Sequence, residues 1–63
     1  MIILNKLGKE RKEFVLNSDL IEFIEENPDT VITLNSGKKY MVIQKKEEII
    51  ERIVEYKRKI TMT

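Results

Sequence analysis

The sequence contains no cysteine, no histidine and no tryptophan, and its 63 residues include only two glycines and one proline. Each absence removes a class of function. Without cysteine there is neither a disulfide nor a thiolate metal site. Without histidine the usual base for a hydroxyl nucleophile is missing, and Ser18, Ser36 and the threonines would need a buried lysine that the pattern does not supply. Gly8 and Gly37 stand far apart, so no glycine-rich loop exists to cradle a phosphate. Glu22, Glu25, Glu26 and Asp29 form the one carboxylate cluster worth weighing. Strand alternation separates Glu25 from Glu26, and oxygen ligands outside an EF-hand-like loop make a poor metal signal, so the cluster reads as a solvated rim. No catalytic, metal-binding or cofactor-binding residue is assigned, and a non-enzymatic protein is expected.

Long apolar runs are also missing. Ile2-Ile3-Leu4 is too short for a signal-peptide core or a membrane span, and Met1 reads as a native start, so a cytoplasmic protein without membrane insertion is expected. Twelve basic residues against eleven acidic ones leave a net charge of +1 and no bulk attraction to nucleic acid or anionic lipid. No repeat, low-complexity tract or Pro/Gly linker divides the chain, which reads as a single domain over residues 1–63. A chain this short buries only about 60% of the surface its unfolded form exposes. With no disulfide or metal to help, self-association is the remaining common aid, and a homo-oligomer is one expectation.

What the sequence does have is a dense β-hairpin signal. Thr30 to Leu34 and Lys39 to Gln44 are two apolar, β-rich runs around Asn35-Ser36-Gly37-Lys38, whose glycine supplies the positive φ that a tight turn needs. A three-residue bulged loop pairs Ile32 with Tyr40 and puts Ile32, Leu34, Tyr40 and Val42 on one face. A two-residue loop would instead set Met41 and Ile43 opposite Ile32 and Leu34. The bulged form is preferred. In either register the other face keeps Val31 and further apolar residues, so both faces need a cover.

Ahead of this hairpin, strands are expected within 2–7 and 13–16, joined by the polar loop around Gly8-Lys9-Glu10-Arg11-Lys12. Asn17-Ser18-Asp19 favours a short helical turn. A third strand within 21–26 follows, with Ile21 and Phe23 alternating against Glu22, and Pro28 ends it in a turn. After the hairpin, residues 46–60 form an amphipathic helix with Ile49, Ile50, Ile53, Val54 and Ile60 on one side and Tyr56 near its edge. Glu47 and Glu48 suit its N-terminal end, Lys57, Arg58 and Lys59 its C-terminal end, and Glu48/Arg52 and Glu55/Lys59 are favourable i,i+4 pairs. Thr61-Met62-Thr63 is expected to fray. The fold class is therefore α+β: a small antiparallel sheet or partly open barrel of about five strands, followed by one helix. Expected core residues are Ile32, Leu34, Tyr40, Val42, Ile49 and Ile53, with Gly37 and Pro28 as turn residues. The candidate interaction surface is Ile50, Val54, Tyr56, Lys38 and Lys39.

Leu16-Asn17-Ser18-Asp19-Leu20-Ile21-Glu22, then Pro28-Asp29-Thr30, then Gly37-Lys38-Lys39-Tyr40 and the Glu-rich helix occur in a fixed order and spacing. In this combination the chain resembles the FlbD/SwrD family of small bacterial flagellar proteins. The resemblance covers most of the sequence. It departs at the first hairpin, where the family has a compact Asn-Gly turn and this chain has the longer Leu7 to Lys12 segment. The resemblance implies a non-enzymatic cytoplasmic factor in flagellar and swarming motility. Such a factor would sit at the periphery of the motor at the inner membrane and act on the motor, its stators or other flagellar proteins by protein contacts. A second resemblance is to the carbon-storage-regulator family of dimeric RNA-binding proteins, carried by Met1-Ile2-Ile3-Leu4 and Glu47-Glu48-Ile49-Ile50-Glu51-Arg52-Ile53. It implies RNA contacts from Lys6 and Lys45-Lys46. The central hairpin and the Pro28-Asp29-Thr30 turn do not match that family, and the flagellar reading is preferred.

Overall fold

Glycine, proline and charge runs cut the apolar pattern into short pieces, each long enough for one strand. In the computed structural model, which describes residues 1–61, these pieces are β1 (Ile2–Asn5), β2 (Glu13–Leu16), β3 (Ile21–Glu26), β4 (Thr30–Leu34) and β5 (Lys39–Val42). A 3-10 turn at Ser18–Leu20 precedes β3, and helix α1 (Lys46–Thr61) ends the chain. This is the expected α+β architecture of five antiparallel strands and a C-terminal helix, and it does not close into a barrel. Met62 and Thr63, where fraying was expected, lie outside the described residues; Thr61 still belongs to the helix.

The strands form a two-stranded sheet, β1-β2, and a three-stranded sheet in the order β3-β4-β5. Lys6 bridges to Val42, the Leu7 amide donates to the Met41 carbonyl at 2.9 Å, and the Ile43 amide donates to the Asn5 carbonyl at 3.0 Å. The chain just past β1 thus runs antiparallel to the end of β5, and the two sheets meet as one bent surface. Two strands occupy only the first part of their expected ranges. The first strand stops at Asn5 rather than at residue 7, because Lys6 and Leu7 turn to β5. The fifth strand stops at Val42 rather than at 44, because Gln44 leaves the ladder to bond Asn5. The Asn5 amide donates to Gln44 Oε1 at 3.0 Å, and Gln44 Nε2 donates to Asn5 Oδ1 at 2.8 Å. Gln44 is buried with only 5% of its surface exposed, and it is satisfied by this amide pair.

The central hairpin has the bulged register. Ile32 lies opposite Tyr40 and Thr33 opposite Lys39, the Leu34 amide donates to the Lys38 carbonyl, and Gly37 has φ 91°. The Ser36 hydroxyl accepts from the Lys38 amide at 3.4 Å. Asn17 Oδ1 caps the 3-10 turn by accepting from the Asp19 amide. In β3 the expected alternation is broken: a bulge between Ile21 and Phe23 opposes Ile21 to Leu34 and Phe23 to Thr33. Ile21 and Ile24, rather than Ile21 and Phe23, then pack against the core, and Phe23 faces outward. A cis Asn27-Pro28 bond shapes the turn into β4.

Sheet alternation puts Ile2, Leu4 and Leu16 of the first hairpin against Ile32, Leu34 and Val42 of the second, and Ile49 of α1 joins them at 0% exposure. Tyr40 and Ile53 are half-buried at the margin of this core rather than inside it, because both lie where the layers open to solvent. Ile2, Leu4 and Leu16 were not among the expected core residues, although their period-two spacing carries the signal. Helix α1 packs on β1 and β3. The Lys46 amide donates to Glu26 Oε1 at 2.8 Å, so one of the acids read as a solvated rim caps the helix. Arg52 donates to the Ile3 carbonyl instead of pairing with Glu48, because β1 has no strand beside it there. An exposed i,i+4 ion pair contributes only about 0.3–0.5 kcal/mol.

Ile32→Asp is expected to unfold the chain, since it buries an unpaired charge at a site with no exposure; circular dichroism and urea titration read this directly. Gln44→Leu keeps the volume but orphans the Asn5 amide, and should lower the unfolding free energy by about 1–3 kcal/mol in the same titration.

Candidate functional site

Several polar groups that might have carried chemistry have structural roles, whereas the buried Thr33 hydroxyl has no hydrogen-bond partner among the described residues. Ser18 lies in the 3-10 turn, the Ser36 hydroxyl braces the hairpin loop, and Glu26 caps α1. Among the described residues no three acidic, histidine or cysteine side chains gather as a metal site. The surface depressions are open grooves, such as the one lined by Met1, Ile3, Glu13, Arg52 and Tyr56.

The expected interaction residues do not form one patch. Ile50 and Val54 lie on the solvent side of α1, 54% and 44% exposed, while Ile49 and Ile53 one position earlier take the inward side. The apolar stripe of the helix is thus wider than the contact it makes. Tyr56 is half-buried: it packs against the core and also lines the open groove beside Arg52. Lys38 and Lys39 part company at the start of β5. Lys39 lies opposite Thr33, on the face away from Tyr40, whereas the Lys38 ammonium sits 5.7 Å from the centre of the Tyr40 ring.

The side chain that joins Lys38 is Lys6. Phe14 of β2 and Tyr40 of β5 meet with ring centroids 5.2 Å apart and planes tilted by 31°. Lys6 lies over both, 5.6 Å from the Phe14 centroid and 5.8 Å from that of Tyr40. The cluster exists because β1 turns into β5 at Lys6, which brings the end of the first hairpin beside the second. Each ammonium-on-ring contact is worth about 0.5–1 kcal/mol when exposed. Neither Lys6 nor Lys38 has a carboxylate partner among the described residues, in contrast to Lys12, whose ammonium lies 3.4 Å from Glu10. The arrangement is two positive charges held over an aromatic pair, ready for an anionic group. Sequence reading singled out Lys6 and Lys38 separately; Phe14 and Tyr40 are 26 positions apart, and only the fold makes them neighbours.

The long loop after β1 has a supporting part in this site. The Lys6 amide donates to the Lys12 carbonyl at 2.8 Å, Asn5 Nδ2 donates to the Arg11 carbonyl, and Arg11 takes a positive φ of 48°. This loop lets Leu7 reach β5 before the chain returns to β2.

Comparison with known proteins adds one decisive match. The family model for FlbD, flagellar and swarming motility proteins, matches residues 1–61. The chain belongs to the FlbD family. No curated protein and no solved structure gives a significant match. Membership connects this FlbD-family chain to flagellar and swarming motility. Among the described residues no helix is long and apolar enough to cross a membrane.

Proposed function

We propose that this FlbD-family chain is a non-enzymatic cytoplasmic motility factor that acts by binding a protein at the flagellar motor, on the motor itself or its stators. The observation that carries this reading is the Lys6-Phe14-Tyr40-Lys38 cluster. Interaction hot spots favour rigid aromatic anchors bordered by charge, and here the two ammonium groups have no carboxylate partner among the described residues. The chemistry fits an acidic segment of a partner protein, whose carboxylates would meet the two ammonium groups while an apolar side chain rests on the rings.

The RNA-regulator alternative needs Lys6 together with Lys45 and Lys46. Glu26 bonds the Lys46 amide, so an acid stands beside that pair and opposes a phosphate there. Lys6 also lies over two rings rather than along an open basic strand. The protein-contact reading therefore takes precedence.

In a deletion strain, the chain carrying Lys6→Glu and Lys38→Glu should fold, as judged by circular dichroism, yet fail to restore swarming and fail to co-purify with motor components. Lys6→Arg with Lys38→Arg should restore both, since charge and ring contact are kept. Wild-type swarming from the double glutamate variant would refute the site. Salt-sensitive RNA binding lost in Lys6→Ala with Lys45→Ala would favour the alternative.

A further inference from the structure

The junction that joins the two sheets also aligns their outer faces. Residues directly opposite in an antiparallel pair point to the same side. The observed register therefore sets Glu25, Val31 and Met41 in one row and Phe23, Thr33 and Lys39 in the next. Lys6 opposes Val42, so Leu7 extends the first row beyond Met41, and Ile43 lies two residues along from Met41 on the same side. The result is an oblique apolar stripe of Phe23, Val31, Met41, Leu7 and Ile43. Four of these are exposed, Phe23 to 43%, Met41 to 48%, Leu7 to 43% and Ile43 to 37%. The helix packs against β1 and β3 and leaves this stripe open.

The flanks of the stripe carry opposite charges. Lys39 lies on one side and Glu25 on the other, on the two outer strands of the three-stranded sheet. We infer that a second copy of this chain covers the stripe, face to face, about a twofold axis that runs along it. Such an axis lays each apolar stripe on its counterpart and each Lys39 over the Glu25 of the other copy, making the patch self-complementary as an isologous interface requires. The strands of the two copies then cross obliquely, an ordinary geometry for packed sheets. The net charge of +1 does not hold the copies apart.

The dimer face lies on the opposite side of β5 from Tyr40 and its lysines, so it is independent of the partner site proposed above.

Sedimentation equilibrium of the full chain from micromolar to millimolar concentration tests the proposal. The wild type should pass from monomer to dimer, and Lys39→Glu should raise the dissociation constant about tenfold through the two lost charge contacts. Combining Lys39→Glu with Glu25→Lys should return it to the wild-type value, a rescue that no heterologous occupant would produce. Met41→Glu, at an exposed position, should remain folded and monomeric. A wild type that stays monomeric throughout, a charge exchange without rescue, or a Met41→Glu dimer of unchanged affinity would each overturn the inference.

Discussion

The structure depends on one short stretch of pairing, where the chain leaving β1 meets the end of β5. Two backbone hydrogen bonds and the Asn5-Gln44 amide pair hold this junction. Without it the molecule would be a two-stranded hairpin and a separate three-stranded sheet, each with an apolar face and too little partner surface to bury it. With it, Ile2, Leu4 and Leu16 close over Ile32, Leu34 and Val42, and Ile49 of the helix completes the core. The amide pair also explains how a buried glutamine is tolerated: both of its polar ends are used, so the cost of removing it from water is offset.

From the same junction follow both surfaces that the chain offers. On the inner side, turning β1 toward β5 carries Lys6 over the contact between Phe14 and Tyr40. On the outer side, it places Leu7 beside Met41 and lengthens the apolar stripe past the limits of the three-stranded sheet. The loop from Leu7 to Lys12 supplies the reach for this. A small protein with little core to spare uses the same few residues to join its layers and to shape what lies outside them.

Much of the local architecture was legible because it rests on local rules. The bulged turn follows from Gly37 taking a positive φ that the residues before it do not favour. The helix follows from its 3.6-residue apolar period and from the charges at its ends. The alternation expected of Ile21 and Phe23 in β3 fails because a bulge adds a residue to one strand without leaving a mark in composition. Likewise, neither Glu26 as a helix cap nor Arg52 as a donor to β1 has a sequence signature, since each partner lies on a separate element.

By itself, then, the sequence determined that this is an α+β chain lacking histidine and cysteine chemistry, with a tight central hairpin, a terminal amphipathic helix and the ordered motifs of a flagellar family. Periodicity, turn chemistry and residue inventory are properties of neighbours along the chain, and they survive without a fold. Tertiary structure alone decided which faces met, which lysines gathered on the aromatic pair and which apolar residues stayed outside. Those outcomes depend on long-range register at the β1-β5 junction, and register is set by how whole faces fit rather than by any one residue.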